Sequence, residues 1–514
     1  MAKIEQPSSE RLFGETRLGY LRSKKKRRMR DSKKLLHGTI VLTIGRVAGY
    51  ALSFLRNLIL ARVLAKTDYG LASVFGIAMT VLEVSGNMAF GMQVIQSKDG
   101  DRPAFQSSAH TLMFLGGACS AILLAGLSVP MARLFGLPQI WWAFALLGMV
   151  PLCQGVSHLD VSRRQRELDY LPLVLVDVLP QFLITAAVWP LAVWLKDYRV
   201  IVFLMIFKAV AGVAISFVCA RRPYRWAWER EYIRSMLSFG WPLLLNGLVM
   251  FGCQQADQML VGVVFSLGVL ASYALASSLV NIPWMIFGQV ISSLTLPLIS
   301  RSQDDPERLR RQYRLCAQFA AVGGVICLIP LIVAGEQLVI LFYGAKYRGT
   351  GEFMALLGAA GAVRFLRFAP AVAALAKADT INQLYQNLWR GASLPLALVV
   401  WRAGGAPVQI AACALAGEVL GTAVSLIRLK RRQSVPLRES LSACLYLITM
   451  VLLGTGFAMT GGAILTFWSA MGFAVGAFAI AVGFAWLMFP EVAGFLIEVA
   501  HRYAFPATKQ LLPD

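Results

Sequence analysis

Nine charged residues fall inside long apolar stretches of this 514-residue chain: Arg46, Arg56, Glu83, Asp177, Lys208, Asp257, Arg364, Arg367 and Glu418. A charged side chain at the centre of a bilayer costs about 2.5–3.5 kcal/mol on insertion scales, so each reads as a functional position. Arg46 and Arg56 differ by about 80° around a helix and by about 15 Å along it. They can line one wall at two depths, Arg46 the deeper and Arg56 within snorkelling reach of the outer end. Arg364 and Arg367, at i and i+3, share one face, and the following Pro370 should kink their helix. Together with Lys208 these cations outnumber the intramembrane carboxylates. Guanidinium forks suit bidentate contact with phosphate oxygens. The five cations therefore predict a cavity for a phosphate-bearing anion. A structural alternative pairs them across helices, Arg46 with Glu83 or Lys208 with Asp177.

The carboxylates suggest a second chemistry. Asp257 stands in the polar cluster Gln254-Gln255-Ala256-Asp257-Gln258, and Glu418 sits in the middle of an apolar segment. With Glu83 they are candidates for H⁺ or Na⁺ coupling, since a carboxylate at that depth can carry a proton or bind Na⁺ through its oxygens. The alternative for Asp257 is a carboxylate satisfied by Asn246, Gln254 or an arginine. Other chemistries lack their residues. Eight cysteines are scattered singly with no CxxC, and four histidines form no HExxH. No metal or other cofactor is expected. A GxxxxGK[ST] loop for ATP is absent. His110 and His158 lie near inward span ends without the carboxylate partner that a membrane glycan polymerase or acyltransferase would need.

Those charges must be positioned by membrane helices. The chain is 57% hydrophobic and 15% charged, against about 25% charged in soluble proteins. At about 20 apolar residues per span, the expected fold is an all-α polytopic membrane protein. Apolar windows fall at 37–60, 69–96, 107–132, 138–158, 171–195, 200–220, 237–263, 267–299, 315–335, 353–376, 391–406, 407–427, 438–458 and 462–488. This predicts fourteen spans, with Gly404-Gly405-Ala406-Pro407 as the only break in the 391–427 pair. The net charge of +22 would suggest nucleic acid in a soluble chain. Here the basic residues crowd alternate loops, which is an orientation signal and an attraction to anionic headgroups, and no nucleic-acid partner is expected. Arg62, Lys66, Arg133, Lys196, Arg199, Lys346, Arg348 and Arg402 are left on the outward side. Both termini are expected in the cytoplasm of a bacterial inner membrane. The predicted organisation is a basic tail over 1–36, a first lobe over 37–220, a cytoplasmic linker over 221–236 and a second lobe over 237–430. Two further helices over 438–488 and a tail over 489–514 complete it.

A faint repeat supports two lobes. Leu60-Ala61-Arg62-Val63 with Tyr69-Gly70-Leu71-Ala72-Ser73 recurs as Leu260-Val261-Gly262-Val263 with Tyr273-Ala274-Leu275-Ala276-Ser277. Each copy follows the first span of its half. The lobes would then be related by an axis along the membrane normal, with substrate handled between them.

Four stretches resemble a known family. Asn57 to Ser73 is similar to an "LAR.L…DYG" signature, and Arg164 to Tyr170 to an inward "QRelrf" loop. Asp257 to Ala276 with Pro283 resembles "D.lliG…G…lg.Y.lA", and Phe342 to Tyr347 an outward "lfG..y" turn. The chain thereby resembles the polysaccharide flippases of the multidrug/oligosaccharidyl-lipid/polysaccharide (MOP) exporter superfamily. The resemblance implies two six-helix lobes in a V plus two C-terminal helices, and alternating access. It further implies carriage of an undecaprenyl-pyrophosphate-linked oligosaccharide for exopolysaccharide, capsule or O-antigen assembly, with membrane lipids and glycan polymerase or chain-length proteins as partners, and no enzymatic reaction. The family's cationic cavity would fall on Arg46, Arg56, Arg364 and Arg367. Rival readings are a flippase of peptidoglycan lipid precursors and a multidrug or cation antiporter of the same superfamily.

Overall fold

A computed structural model describes residues 37–86, 90–300, 305–377, 379, 381–433, 435–460 and 466–494, with the side chains at 82–86, 289–294, 296–298 and 300 outside that description. The described residues are predominantly helical, with no strand among them. In the half before the linker they form α1 (His37–Val63), α2 (Lys66–Gly86), α3 (Phe90–Gln96), α4 (Pro103–Leu134), α5 (Trp141–Leu147), α6 (Met149–Gly155), α7 (Asp160–Arg166), α8 (Leu171–Leu195) and α9 (Arg199–Cys219). After it come α10 (Arg230–Val264), α11 (Leu267–Ser300), α12 (Pro306–Val333), α13 (Gly335–Tyr343), α14 (Gly351–Ala376), α15 (Ile381–Arg390), α16 (Ser393–Arg402), α17 (Pro407–Gln433), α18 (Arg438–Thr460) and α19 (Phe467–Met488).

Eleven of these helices are long and apolar enough to cross a membrane, or twelve when the run from Pro138 to Gly155 is joined across a 45° bend to α7. The chain is an all-α, multi-pass membrane protein. Two of the fourteen expected spans are not among the twelve. Within 69–96 the described residues belong to α2 and α3, and 87–89 lie outside the description. The segment at 391–406 is displaced and broken: α15 and α16 are joined at Gly391-Ala392, and α15 begins ten residues earlier than the apolar window. The connection after residue 335, expected on the outward side, is likewise no open loop, because α13 and a 3₁₀ turn at Ala345–Tyr347 fill it.

α15 explains its own concealment. Asn382, Gln386, Asn387 and Arg390 are buried, while Ile381, Leu384, Tyr385, Leu388 and Trp389 are exposed. In water such a helix would be inside out. In a bilayer the apolar face meets lipid and the polar face turns to protein, as helices facing a polar interior do.

Within the first half α8 packs on α9, and α4 on α5 and α6; within the second, α14 packs on α11, α12 and α17, and α18 on α12. The two sets meet where α2 lies against α10 and α11. These are the segments carrying the repeated motifs. Contact there is tight: a Cβ on Gly70 would sit 2.2 Å from the Leu267 carbonyl oxygen, so only glycine lets the backbones approach. Leu60, Ala61, Val261, Tyr273, Leu275 and Ala276 are buried at or beside this seam.

Candidate substrate cavity

Two cavities of about 770 and 710 Å³ lie on either side of that seam. Gln255, Gln258, Ala274 and Ser278 line both, so α10 and α11 form a common wall between one chamber of the first half and one of the second.

The second-half chamber holds a cluster of buried charges. α14 contributes Arg364 and Arg367, α15 contributes Arg390, and α17 contributes the only carboxylate among them, Glu418. Arg364 Nε donates to Glu418 Oε1 at 3.0 Å, and its Nη1 donates to Asn281 Oδ1 at 2.7 Å. Arg367 Nη1 lies 3.2 Å from Glu418 Oε2, and Arg390 Nε lies 3.7 Å from Oε1. Arg390 also donates to the carbonyl of Cys253. Three guanidinium groups thus share one carboxylate. Breaking such a cluster by removing the anion would strand buried cations, whereas adding an anion would complete it. Arg367 Nη1 and Glu418 Oε2, though paired as ions, form no aligned hydrogen bond, so this donor still has capacity to spare. This wall can accept a compact, doubly charged oxyanion.

Asp257 faces the same chamber. Its Oδ2 accepts a hydrogen bond from the hydroxyl of Tyr273 at 2.6 Å, and its Oδ1 accepts one from the Gln258 amide at 2.8 Å. Neither Asn246 nor Gln254 holds it. The partner comes from the next helix, α11, and both residues lie in the stretch Asp257 to Ala276.

The first-half chamber is lined more sparsely by charge. Arg56 reaches it from α1 and donates from Nη2 to Ser53 Oγ at 3.2 Å. Asp177 and Lys208 line it as exposed side chains, and Asp177 lies in the field of Lys208 first and Arg46 second. Arg46 itself is exposed and lines neither chamber. The side chain of Glu83 lies outside the described residues. Polar neutral groups such as Asn57, Thr80, Gln154 and Ser157 complete the lining.

One end of the seam is closed by a reciprocal clasp. Arg62, in the last turn of α1, donates from Nε to the Phe342 carbonyl at 2.7 Å and from Nη2 to that of Leu341, both at the end of α13. Lys346 returns the arrangement, donating to the Arg62 carbonyl at 3.1 Å and to that of Leu64. Each half places a cation on the unpaired carbonyls that end a helix of the other, which a helix C-terminus favours. Burial, with the Arg62 guanidinium nearby, holds the Lys346 ammonium below the usual lysine range. Tyr347 packs edge-on to Tyr69 and Tyr343, and Phe54 edge-on to Phe342.

Sequence reasoning singled out Arg364 and Arg367 for the cavity and Glu418 separately for ion coupling; it did not bring the three together, and it missed Arg390 and the clasp. The signal for Arg390 lay in polar residues at 382, 386, 387 and 390, which form one helical face. All eight cysteines are free, and no cluster of three or more His, Cys, Asp or Glu that could hold a metal occurs among the described residues.

A bundle of membrane helices in two sets, with chambers flanking a shared seam and cations buried in one wall, is the architecture of a transporter that works between its halves. The sequence model of the family described as "Polysaccharide biosynthesis protein" matches residues 59–351, and the chain belongs to that family. It is 22% identical over 322 residues to an uncharacterized membrane protein in the cps region of Klebsiella pneumoniae, a match covering 61% of this chain and 65% of that protein. It is 20% identical over 341 residues to the lipopolysaccharide biosynthesis protein WzxC of Escherichia coli K12, covering 65% of this chain and 68% of that one. Among solved structures, the lipid II flippase MurJ in an inward closed conformation superposes with a TM-score of 0.67 at 14% identity, over 89% of this chain and 100% of that one. This likeness shows a shared fold.

Proposed function

We propose that this protein is a flippase that carries a lipid-linked oligosaccharide across the bacterial inner membrane for the assembly of a surface polysaccharide. It would be a transporter and no enzyme. The observation that carries the reading is the cluster of Arg364, Arg367 and Arg390 around the single carboxylate of Glu418. Cations in such excess in a chamber wall await an anion, and the pyrophosphate of a polyprenyl carrier has the charge and size to meet them. The sugars would lie along the neutral polar lining of the first-half chamber, with Arg56 and Lys208 at its edge, and the lipid tail would stay in the bilayer. Membership in a polysaccharide biosynthesis family and likeness to WzxC support the glycan as cargo.

With basic loops inward, both termini are cytoplasmic, and the Arg62–Lys346 clasp closes the outward end. Substrate would enter from the cytoplasmic side, and rocking of the halves would break the clasp to release it. Asp257, released from Tyr273, would be the group through which an H⁺ or Na⁺ gradient acts, while Glu418 holds the arginines in register. Glycan polymerase and chain-length proteins would act on what is delivered.

The test is transbilayer movement of a labelled polyprenyl-pyrophosphate oligosaccharide in proteoliposomes, with and without ion gradients. Movement by the wild type, lost in Arg364→Ala and Arg390→Ala proteins that insert normally, is expected. Undiminished movement in both variants would sink the reading. The likeness to the lipid II flippase supports a second cargo, a peptidoglycan precursor. Equal movement of that precursor in the same vesicles would favour it.

A further inference from the structure

The first turns of α10 present two faces with different neighbours. On one, Ile233 and Met236 are buried against Phe90, Val94 and Phe105 of the first half. The Met236 carbonyl accepts from Gln93 Nε2 at 3.2 Å, and the hydroxyl of Tyr232 accepts from Arg102 Nη1 at 3.2 Å. The other face carries Arg230, Arg234, Leu237 and Trp241, spaced i, i+4, i+7 and i+11 as one helical stripe. With Trp228 they border a groove of about 570 Å³. Trp228 is 60% and Trp241 57% exposed.

The arginines of this groove differ in their pairing from Arg163, Arg164 and Arg222 of the first half and the linker. Arg163, Arg164 and Arg222 are each held by an acidic side chain, Asp160, Asp169 and Asp101. Among the described residues, Arg230 and Arg234 make no ion pair, and both are exposed. None of the stripe lines either central chamber.

We propose that this stripe is a binding site for an anionic phospholipid of the cytoplasmic leaflet, its phosphate between Arg230 and Arg234 and its acyl chain along Leu237 and Trp241. Arg234 and Trp241 lie about 10 Å apart along the axis, a separation that sets cations at headgroup depth and the indole at the start of the hydrocarbon. Tryptophan favours that interface, and basic residues beside a span attract anionic lipid. The occupant is a bilayer phospholipid and not the transported carrier, because the stripe faces away from the chambers. The lipid would brace the place where a second-half helix docks on the first half. The site shares only the cytoplasmic orientation with the flippase reading, and lipid binding can be measured without transport.

The experiment uses the purified full chain in neutral detergent with traces of fluorescent phosphatidylglycerol or phosphatidylcholine. Two arginines are expected to favour phosphatidylglycerol by about 30-fold. Arg230→Gln with Arg234→Gln should bring the two lipids to parity, and the corresponding double lysine variant should keep the preference. Trp241→Ala should weaken both lipids alike. No preference in the wild type, a preference surviving in the double glutamine variant, its loss in the lysine variant, or displacement of phosphatidylglycerol by a polyprenyl pyrophosphate would each overturn the site.

Discussion

The two chambers carry charge in different ways. In the second half, Arg367 and Arg390 are 9% and 8% exposed and close around a carboxylate that is 4% exposed. In the first half, Asp177 and Lys208 stand exposed, and the guanidinium of Arg56 bonds to a serine. Water screens charges of the second kind, so each interacts weakly with whatever passes. Charges of the first kind are fixed by their neighbours before any ligand arrives, and their attraction acts in a drier medium. The proposed cargo, with a compact anionic head and a long neutral chain, would fit that asymmetry: one wall would hold the head in one position and the other would let the chain slide.

The largest expected effect follows from the sharing of one anion. Glu418→Gln leaves three guanidinium groups without their counter-charge, a change that in buried ion clusters costs about 3–5 kcal/mol. Asp177→Asn on the opposite wall removes an exposed charge and should cost less than about 1 kcal/mol. Thermal unfolding of both variants in detergent checks the contrast. Similar midpoints for the two would erase the distinction between the walls.

Next in size are the arginines themselves. Each charge-assisted hydrogen bond to a phosphate contributes about 1.5–3 kcal/mol, so Arg390→Ala and Arg364→Ala should each slow glycan movement by roughly 10- to 100-fold. Arg46, outside both chambers, should change the rate far less when replaced by alanine. A rate in Arg46→Ala as low as in Arg390→Ala would relocate the anion site to the first half.

The clasp sharpens the comparison along the other axis, the clasped end of the seam against the chambers. Arg62→Ala removes two donors to the end of α13 and should destabilise closure by about 1–3 kcal/mol. The readout is labelling of a cysteine placed at Ser73, in the first-half chamber, by an impermeant reagent added from outside. Labelling should quicken several-fold; an unchanged rate would mean that packing of the aromatic rings, and not the cations, keeps that end shut.

Much of this was legible in sequence, and the omissions have physical causes. Long apolar runs announce membrane helices because nothing else in a chain needs twenty such residues together. Arg364 and Arg367 stand out because they interrupt an apolar run. Arg390 does not, because it ends a helix whose buried face is polar and whose average hydropathy is therefore low. Its environment comes from α14 and α17, which no local window contains. Arg62 and Lys346 were visible as outward charges, but their role depends on carbonyls about 280 positions away in the chain. Periodicity reports which face of a helix is buried; it does not report which two faces meet.

The smallest effect tests the carboxylate that faces the second chamber without an arginine partner among the described ion pairs. Tyr273→Phe removes the hydroxyl that donates to Asp257 and leaves the ring, which is fully buried and packs edge-on to Phe353. Loss of one such bond costs about 0.5–1.5 kcal/mol, so the protein should fold and glycan movement without a gradient should change by only a few-fold. If Asp257 is the coupling group, its response to an imposed H⁺ or Na⁺ gradient must shift when the hydroxyl goes, because bound ion and hydroxyl compete for the same oxygen. Asp257→Asn should abolish the response altogether while Glu418, fixed by its three arginines, leaves none behind. A gradient response unchanged in both variants would remove Asp257 from the coupling path and leave it a structural partner of Tyr273 at the seam.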